Sequence, residues 1–299
     1  VEWAKEWDAA EAHPAGQEDG ELLKVIASTG GKGGVGKSTF AILLAHKLAN
    51  EGNKVVLCDC DVECPNDHLL LGTELGERQE ILQDFPELVE EKCIKCGTCF
   101  RVCRENAIFW VEGKTPQFIE DLCIGCGACE IACPAKAIVG SKKTTGESFV
   151  SKVSDGFWLV TGISKVGISE TGPVVGAVKE RAVKLAEDKG ADYLLVDTAP
   201  GTHCSVVAAL LGCEKVYAVT EPTPLGEYDL RLILDLAKRL KIPAEVVLNK
   251  ADVGPKEKTD EIAGAAGSRI GFEIPYSEEL VSAYCNKELE KVVGLLCEL

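Results

Sequence analysis

The chain has 299 residues, a formal net charge of −16, 46% hydrophobic residues and 15 cysteines. That length suits one α/β domain with a small second module, and the apolar share is that of a globular core, which excludes a disordered chain. An acidic surface lacks the clustered Lys and Arg that replace counterions on nucleic acid or anionic lipid, so neither is an expected partner.

No run reaches the roughly eighteen apolar residues of a membrane span, and Glu2, Glu6 and Asp8 break the basic-then-apolar order of a signal peptide. The expected compartment is the cytoplasm, where a high and odd cysteine number points to metal binding instead of disulfides. Residues 1–21 carry Trp3 and Trp7 at helical spacing before a Pro, Gly and acidic run, and read as a tail or a short helix. From residue 22 the pattern becomes strand (23–27), glycine-rich turn (30–36) and helix (38–48). A strand at 54–58 and a polar stretch at 71–85 follow, and closely spaced cysteines then occupy 93–133. The alternation resumes with strand 157–161, helix 175–187, strands 193–196 and 216–220, helix 227–240 and strand 245–248. Such alternation predicts an α/β fold with a mainly parallel sheet covered on both faces. The cysteine-rich segment therefore interrupts one domain, at 22–84 and 143–299, with an insert at 85–142.

Gly31-Lys32-Gly33-Gly34-Val35-Gly36-Lys37-Ser38-Thr39 satisfies the P-loop pattern in the strand-then-helix context the pattern requires. Its backbone N–H groups and the helix N-terminus face phosphate, Lys37 neutralises the β and γ oxygens, and the Ser38 hydroxyl can hold Mg²⁺. Gly31, Gly33, Gly34, Gly36, Lys37, Ser38 and Thr39 are the expected nucleotide-binding set. With its extra Lys32 the loop resembles the deviant Walker A of the MinD/ParA and nitrogenase iron protein class of ATPases. Cys58-Asp59-Cys60-Asp61 resembles that class's Asp-x-Asp after the second strand, and Leu194-Leu195-Val196-Asp197-Thr198-Ala199-Pro200-Gly201 resembles its Walker B strand and switch II turn. The resemblance implies a homodimer in which Lys32 reaches the partner's nucleotide, Asp59 and Asp197 orient Mg²⁺, and Asp61 positions the attacking water. Lys32, Lys37 and Asp61 are then the catalytic set. Asn249-Lys250-Ala251-Asp252 fits either the guanine fork of GTPases or the class's use of the Asn against adenine. Lys32 has no role in ordinary GTPases, so ATP is favoured, and Ile274-Pro275-Tyr276 resembles the adenine-side loop, which adds Pro275 to the nucleotide contacts.

Cys93-x2-Cys96-x2-Cys99-x3-Cys103 and Cys123-x2-Cys126-x2-Cys129-x3-Cys133-Pro134 are two copies of the bacterial ferredoxin run. In that fold each [4Fe–4S] cluster takes three cysteines of one run and the last of the other. Cys93, Cys96, Cys99 and Cys133 are thereby assigned to one cluster, and Cys123, Cys126, Cys129 and Cys103 to the second. Gly97, Gly125 and Gly127 allow the turns around sulfur, and Ile108 and Ile138 occupy equivalent apolar positions after each run. Zinc needs only four ligands and has no use for the repeated x3 step. The first run ends in Arg104 where the second has Pro134. Most of the other thiols, Cys58, Cys60, Cys64, Cys204, Cys213, Cys285 and Cys297, read as small core residues. Cys204 lies seven residues after Asp197, where the nitrogenase iron protein carries a cluster-bridging cysteine, but no partner for it occurs between 156 and 192.

The order P-loop, D-x-D, Pro65-Asn66 with His68-Leu69-Leu70-Leu71, double ferredoxin run, switch II, Thr220-Glu221-Pro222-Thr223 and N-K-x-D resembles MinD-superfamily P-loop ATPases with an inserted ferredoxin domain. The resemblance implies ATP-gated electron transfer through two clusters to a redox partner protein. An iron–sulfur assembly carrier resembling the Mrp group needs a surface C-x-x-C, and none occurs outside the insert. A positioning ATPase resembling MinD needs a basic C-terminal helix, whereas Lys287 and Lys291 stand against Glu288, Glu290 and Glu298.

Overall fold

The computed structural model describes residues 23–279 together with Ser282 and Asn286. The expectations for residues 1–21, for Cys285 and Cys297 and for the charged segment 287–299 lie outside the described residues. In chain order the elements are β1 (Lys24–Thr29), α1 (Lys37–Asn50), β2 (Val55–Cys60), α2 (Asp67–Leu70), β3 (Glu77–Leu88), α3 (Thr98–Val102), β4 (Ile108–Phe109), β5 (Gln117–Phe118), α4 (Ala128–Ile131), β6 (Ile138–Ser154), β7 (Phe157–Ser164), α5 (Gly172–Lys189), β8 (Tyr193–Thr198), α6 (Cys204–Leu210), β9 (Lys215–Thr220), α7 (Pro224–Arg239), β10 (Ala244–Asn249), α8 (Glu257–Ala265) and β11 (Ile270–Ile274). Among the described residues no helix is long and apolar enough to cross a membrane.

One nine-stranded sheet runs in the order β11-β10-β9-β1-β8-β2-β7-β6-β3. Its strands are parallel from β11 to β7, and β6 and β3 are antiparallel. Every residue of β2 is buried, as a central strand covered on both faces requires. Its side chains alternate between two cores. Val55 and Leu57 pack with Ala41, Ile42 and Ala45 of α1, whereas Val56, Cys58 and Cys60 pack with Val174, Val178 and Ala182 of α5 and Val206 and Leu210 of α6. The same period of two carries Asp59 to the α1 face, beside the P-loop. Cys58, Cys60 and Cys213 are therefore core residues, as expected, while Cys64 and Cys204 are exposed.

Helix α7 begins before residue 227, the sequence expectation, because Thr223 caps it, accepting from Gly226 N at 3.1 Å, and Pro224 occupies its first turn. The larger departure is β3. Residues 77–84, part of the polar stretch, pair with β6 in a register that runs from Glu77↔Val150 to Leu88↔Ile138. The ladder crosses positions 85 and 142 without a break, so the cysteine-rich module is carried on a two-stranded ribbon that is continuous with the main sheet. Strand β6 also pairs with β7 from Gly146↔Ser164 to Ser154↔Phe157, which roots the ribbon.

Gly162 of β7 lies where α5 packs down: a Cβ there would meet Val178 Cγ2 at 2.5 Å and Val62 Cγ1 at 2.7 Å. Gly162→Ala is expected to destabilise by about 1–3 kcal/mol through overpacking. Gly176→Ala, on the exposed side of α5 with nothing within 4 Å of its Cβ, should instead stabilise by about 0.5–1 kcal/mol. Thermal melts of both variants under anaerobic conditions check the opposite signs.

Candidate functional site

Strand β1 delivers the chain into the glycine-rich loop, and α1 opens at Lys37. Gly36 has a φ of 100°, and a Cβ on it would lie 2.5 Å from Asn249 Nδ2, so a side chain here is both strained and obstructed. That amide braces the loop: Nδ2 donates to Val35 O at 2.9 Å, and Asn249 Oδ1 accepts from Lys250 N at 3.0 Å. Asp252 Oδ1 accepts from Tyr276 N at 2.6 Å, which fastens the segment containing Pro275. Both polar ends of the N-K-x-D motif are thus engaged with backbone. Gly33 and Gly34 face open space, as a phosphate approach requires.

Strand register places the acids. Asp59 of β2 stands opposite Asp197 of β8, and Ser28 of β1 stands on the other side of Asp197. Asp59 accepts backbone N–H bonds from Asp61 (3.1 Å), Asn66 (3.1 Å) and Asp67 (3.2 Å). Ser38 Oγ donates to Asp197 Oδ2 at 2.6 Å, and Lys37 Nζ donates to Lys32 O at 3.1 Å. Burial pulls the Lys37 pKa down against the attraction of Asp197 and Asp61. Burial also pushes Asp59 well above the usual carboxylate range, with Asp197 adding to the effect, and it pushes Asp197 up to about 7. Asp61, half-buried, is raised by the same cause. Asp197 Oδ1 is buried without a hydrogen-bond partner. A hydroxyl, two acids and an orphaned oxygen form a donor set that fits Mg²⁺, held by Ser38, Asp59 and Asp197 directly or through water. Lys32 does not lie with this group; its Nζ pairs with the Glu221 carboxylate, which also takes Lys250 Nζ at 3.1 Å.

The cysteine runs face two separate cavities. One is lined by Cys93, Cys96, Cys99 and Cys133 with Ile138. The other is lined by Cys103, Cys123, Cys126 and Cys129 with Ile108. These are the crossed sets expected from the run pattern. The two crossing thiols are matched: Ala107 N donates to Cys103 Sγ at 3.3 Å and Ala137 N to Cys133 Sγ at 3.2 Å. Cys99, Ile108 and Ile138 are buried together between the cavities. Among the described residues no three thiols come within 4.8 Å of one another. A single tetrahedral zinc, with bonds of about 2.3 Å, would need sulfurs roughly 3.8 Å apart. Four thiols spread farther apart than that around an apolar pocket fit the ligand set of a [4Fe–4S] cluster instead.

The family description for the CobQ/CobB/MinD/ParA nucleotide binding domain matches residues 26–290. The chain belongs to this family. An uncharacterized protein of Methanocaldococcus jannaschii is 38% identical over 269 residues, 89% of this chain and 91% of that protein. The MinD/ParA-type fold extends to the solved MinD of Pyrococcus horikoshii complexed with Mg-ADP, at TM-score 0.52 and 17% identity over 89% of this chain and 86% of the other. A 59-residue stretch is 46% identical to an iron–sulfur cluster carrier protein of Synechocystis, covering 20% of this chain and 17% of that protein.

Two residues of this MinD/ParA-type site escaped the sequence reading. Asp67 is fully buried and within 4.8 Å of both Asp59 and Asp197 through its carboxylate oxygens; its place in the four-residue α2 offered no signal beyond the Pro65-Asn66-Asp67 turn. Glu221 was visible in the Thr220-Glu221-Pro222-Thr223 motif but had no assigned partner. Hydrogen bonds from Lys32 and Lys250 outweigh burial and hold its carboxyl below the usual range. Lys37→Ala removes the cation buried beside Asp197, and Mg·ATP affinity is expected to fall about tenfold to a hundredfold, the value of one or two charge-assisted hydrogen bonds. Titration with a fluorescent ATP analogue measures it.

Proposed function

We propose that the chain is an ATP-dependent, nucleotide-gated electron-transfer protein. ATP hydrolysis at the P-loop would control two [4Fe–4S] clusters that serve a redox partner protein. The observation that carries this reading is the pair of crossed cysteine quartets, each around its own cavity, on a ribbon continuous with the nucleotide-binding sheet. A [4Fe–4S] cluster in each cavity supplies a one-electron store. The chain's own residues do the rest: thiols fix position, matched N–H bonds stabilise the crossing sulfurs, and apolar side chains keep water from the space between. Exposed Ile94, Phe109 and Ile131 give the module an apolar surface suited to a docking protein.

The nucleotide arm follows the deviant Walker A resemblance. Lys37 and the P-loop backbone bind phosphate, Ser38, Asp59 and Asp197 hold Mg²⁺, Asp61 positions water, and Lys32 acts across a homodimer. The bond from Tyr276 N to Asp252 Oδ1 weighs against the guanine fork, which needs that carboxylate, and Lys32 favours ATP.

Hydrogen bonds connect the two arms. Ser164 N donates to Val62 O at 2.7 Å, and Thr171 Oγ1 bonds Glu63 Oε1 at 3.3 Å, so the segment after Asp61 is tied to residues 164–171. At the other side of that loop Ser169 N donates to Asp121 O at 3.3 Å, two residues before Cys123. A rearrangement of the Asp61 segment around triphosphate would therefore reach the Cys103, Cys123, Cys126 and Cys129 cavity first.

Anaerobically isolated protein is expected to carry close to eight irons per chain, the content of two four-iron clusters. Cys103→Ser should cost the cluster of Cys123, Cys126 and Cys129 and spare the other. Iron analysis with electron paramagnetic resonance of the reduced protein checks both, and zinc without iron after anaerobic reconstitution would end the reading.

Coupling makes a second demand. The midpoint potential or transfer rate of at least one cluster should differ between the ADP state and an ATP-like trapped state, and reduction should reciprocally change nucleotide affinity. Redox titrations of wild type and Asp61→Ala with each nucleotide decide it. Identical potentials, identical rates and redox-blind nucleotide binding would favour an iron–sulfur cluster carrier.

A further inference from the structure

Three carboxylates meet in the interior beside the P-loop. Asp59, Asp67 and Asp197 are at most 1% exposed, and one oxygen from each lies within 4.8 Å of the other two. Asp59 is satisfied by three backbone N–H groups and Asp197 Oδ2 by Ser38. Neither oxygen of Asp67 has a hydrogen-bond partner, and Asp197 Oδ1 has none. Leaving so many buried acceptors unmatched is costly, and more so for an ionised group than for a neutral one, so a missing positive partner is the economical explanation. Lys37 does not supply it: its attractions are to Asp197 and Asp61, and the groups acting most strongly on Asp67 are Asp59, Asp197, Cys60 and Asp61, all of which repel negative charge.

We propose that Asp59, Asp67 and Asp197 form a divalent-cation site that fills in the absence of nucleotide, with Asp67 as a direct ligand. Ligand oxygens around a six-coordinate ion with bonds of about 2.1 Å lie roughly 3.0 to 4.2 Å apart, a spacing the three reach with small side-chain rotations. Three carboxylates with one nearby lysine leave an excess of two negative charges, which a divalent ion cancels. Asp67 is what distinguishes this site from one that takes its Mg²⁺ only together with phosphate. Mg²⁺ normally arrives with one or two carboxylates and substrate oxygens; a third buried carboxylate allows the metal to precede ATP. The Ser38 hydroxyl, bonded to Asp197, places the loaded ion next to the phosphate-binding loop. Nothing in this inference depends on the iron–sulfur reading.

The test is equilibrium dialysis of oxidised, nucleotide-free holoprotein against Mn²⁺, with bound manganese and iron measured separately. Wild type is expected to bind one Mn²⁺ per chain, displaced by Mg²⁺, and Asp67→Asn to bind it at least about tenfold more weakly, since removing even an outer-shell partner of a metal costs that much and a direct ligand should cost no less. No stoichiometric Mn²⁺ on wild type without nucleotide overturns the proposal, and so does equal affinity in Asp67→Asn. Counting coordinated waters on wild-type Mn²⁺ by electron–nuclear double resonance needs no variant: about three or fewer are expected for three carboxylate ligands, and five or six would overturn it. Iron content reports the fate of the electron-transfer reading independently.

Discussion

The nucleotide end of the molecule depends on β8 being inserted between β1 and β2. In a parallel sheet the register of neighbours is a geometric consequence of where the chain enters, and here it sets Asp197 against Asp59 on one side and Ser28 on the other. Two acids forced together out of water repel, and burial raises both. Three backbone N–H groups on Asp59 and the Ser38 hydroxyl on Asp197 offset part of that cost. The remainder is a local deficit of positive charge, which the fold retains at the C-terminal ends of its strands, where α/β sheets bind ligands. Such a deficit attracts a cation, and the nucleotide gating proposed above would require that the cation and nucleotide bind one conformation more tightly than another.

In the proposed coupling, the ribbon of β3 and β6, continuous with the main sheet, is what would carry such a change to the cysteine module. An isolated two-stranded hairpin is marginal in water, so its stiffness must come from its root. Arg181 of α5 supplies part of it: Nη1 donates to Ser148 O at 2.7 Å and to Ser148 Oγ at 2.9 Å, and Nη2 donates to Glu77 O at 3.1 Å. One guanidinium on the helix that follows the 164–171 loop therefore holds both strands of the ribbon. Lys143 reaches the other way, its Nζ donating to the carbonyls of Glu120 and, at 3.1 Å, of Cys123. The module is thus tied through its own strand to the second cysteine run, and through Asp121 to the loop beside Asp61.

The parts of this arrangement that were legible in the sequence are those where chemistry dictates spacing. The glycine–lysine loop and the repeated x2-x2-x3 steps are set by spacing, so the P-loop and the two sets of thiols that line separate pockets could be grouped from the chain alone. The parallel core was legible because burial on both faces makes the first four residues of β2, Val55 to Cys58, and of β8, Tyr193 to Val196, a continuous apolar or aromatic run. Strand β3 was not: of its residues only Ile81 and Pro86 are buried, and an edge strand with polar side chains on both faces carries no period to read. Asp67 was illegible for a different reason. An aspartate at the start of a helix is ordinarily a solvated first-turn residue, and nothing local says that this turn is pressed against Asp59.

Lys32 illustrates how a reading from motif and a reading from geometry combine. For a lysine proposed to act at a partner's nucleotide, a position folded back onto Glu221 is at first sight an obstacle. Its cost depends on what remains after it leaves. Breaking a buried ion pair outright costs about 3–5 kcal/mol because a charge is stranded, but Glu221 keeps Lys250 at 3.1 Å when Lys32 departs. The Lys32 side chain is 28% exposed and that of Glu221 12%, so the pair is partly buried, and what limits the cost of parting is the second lysine and not solvent screening. If Lys32 acts at a partner's nucleotide as proposed, Glu221 with its second lysine would serve as a parking position: it holds Lys32 away from the protein's own crowded acids and would not be left unpaired when Lys32 departs.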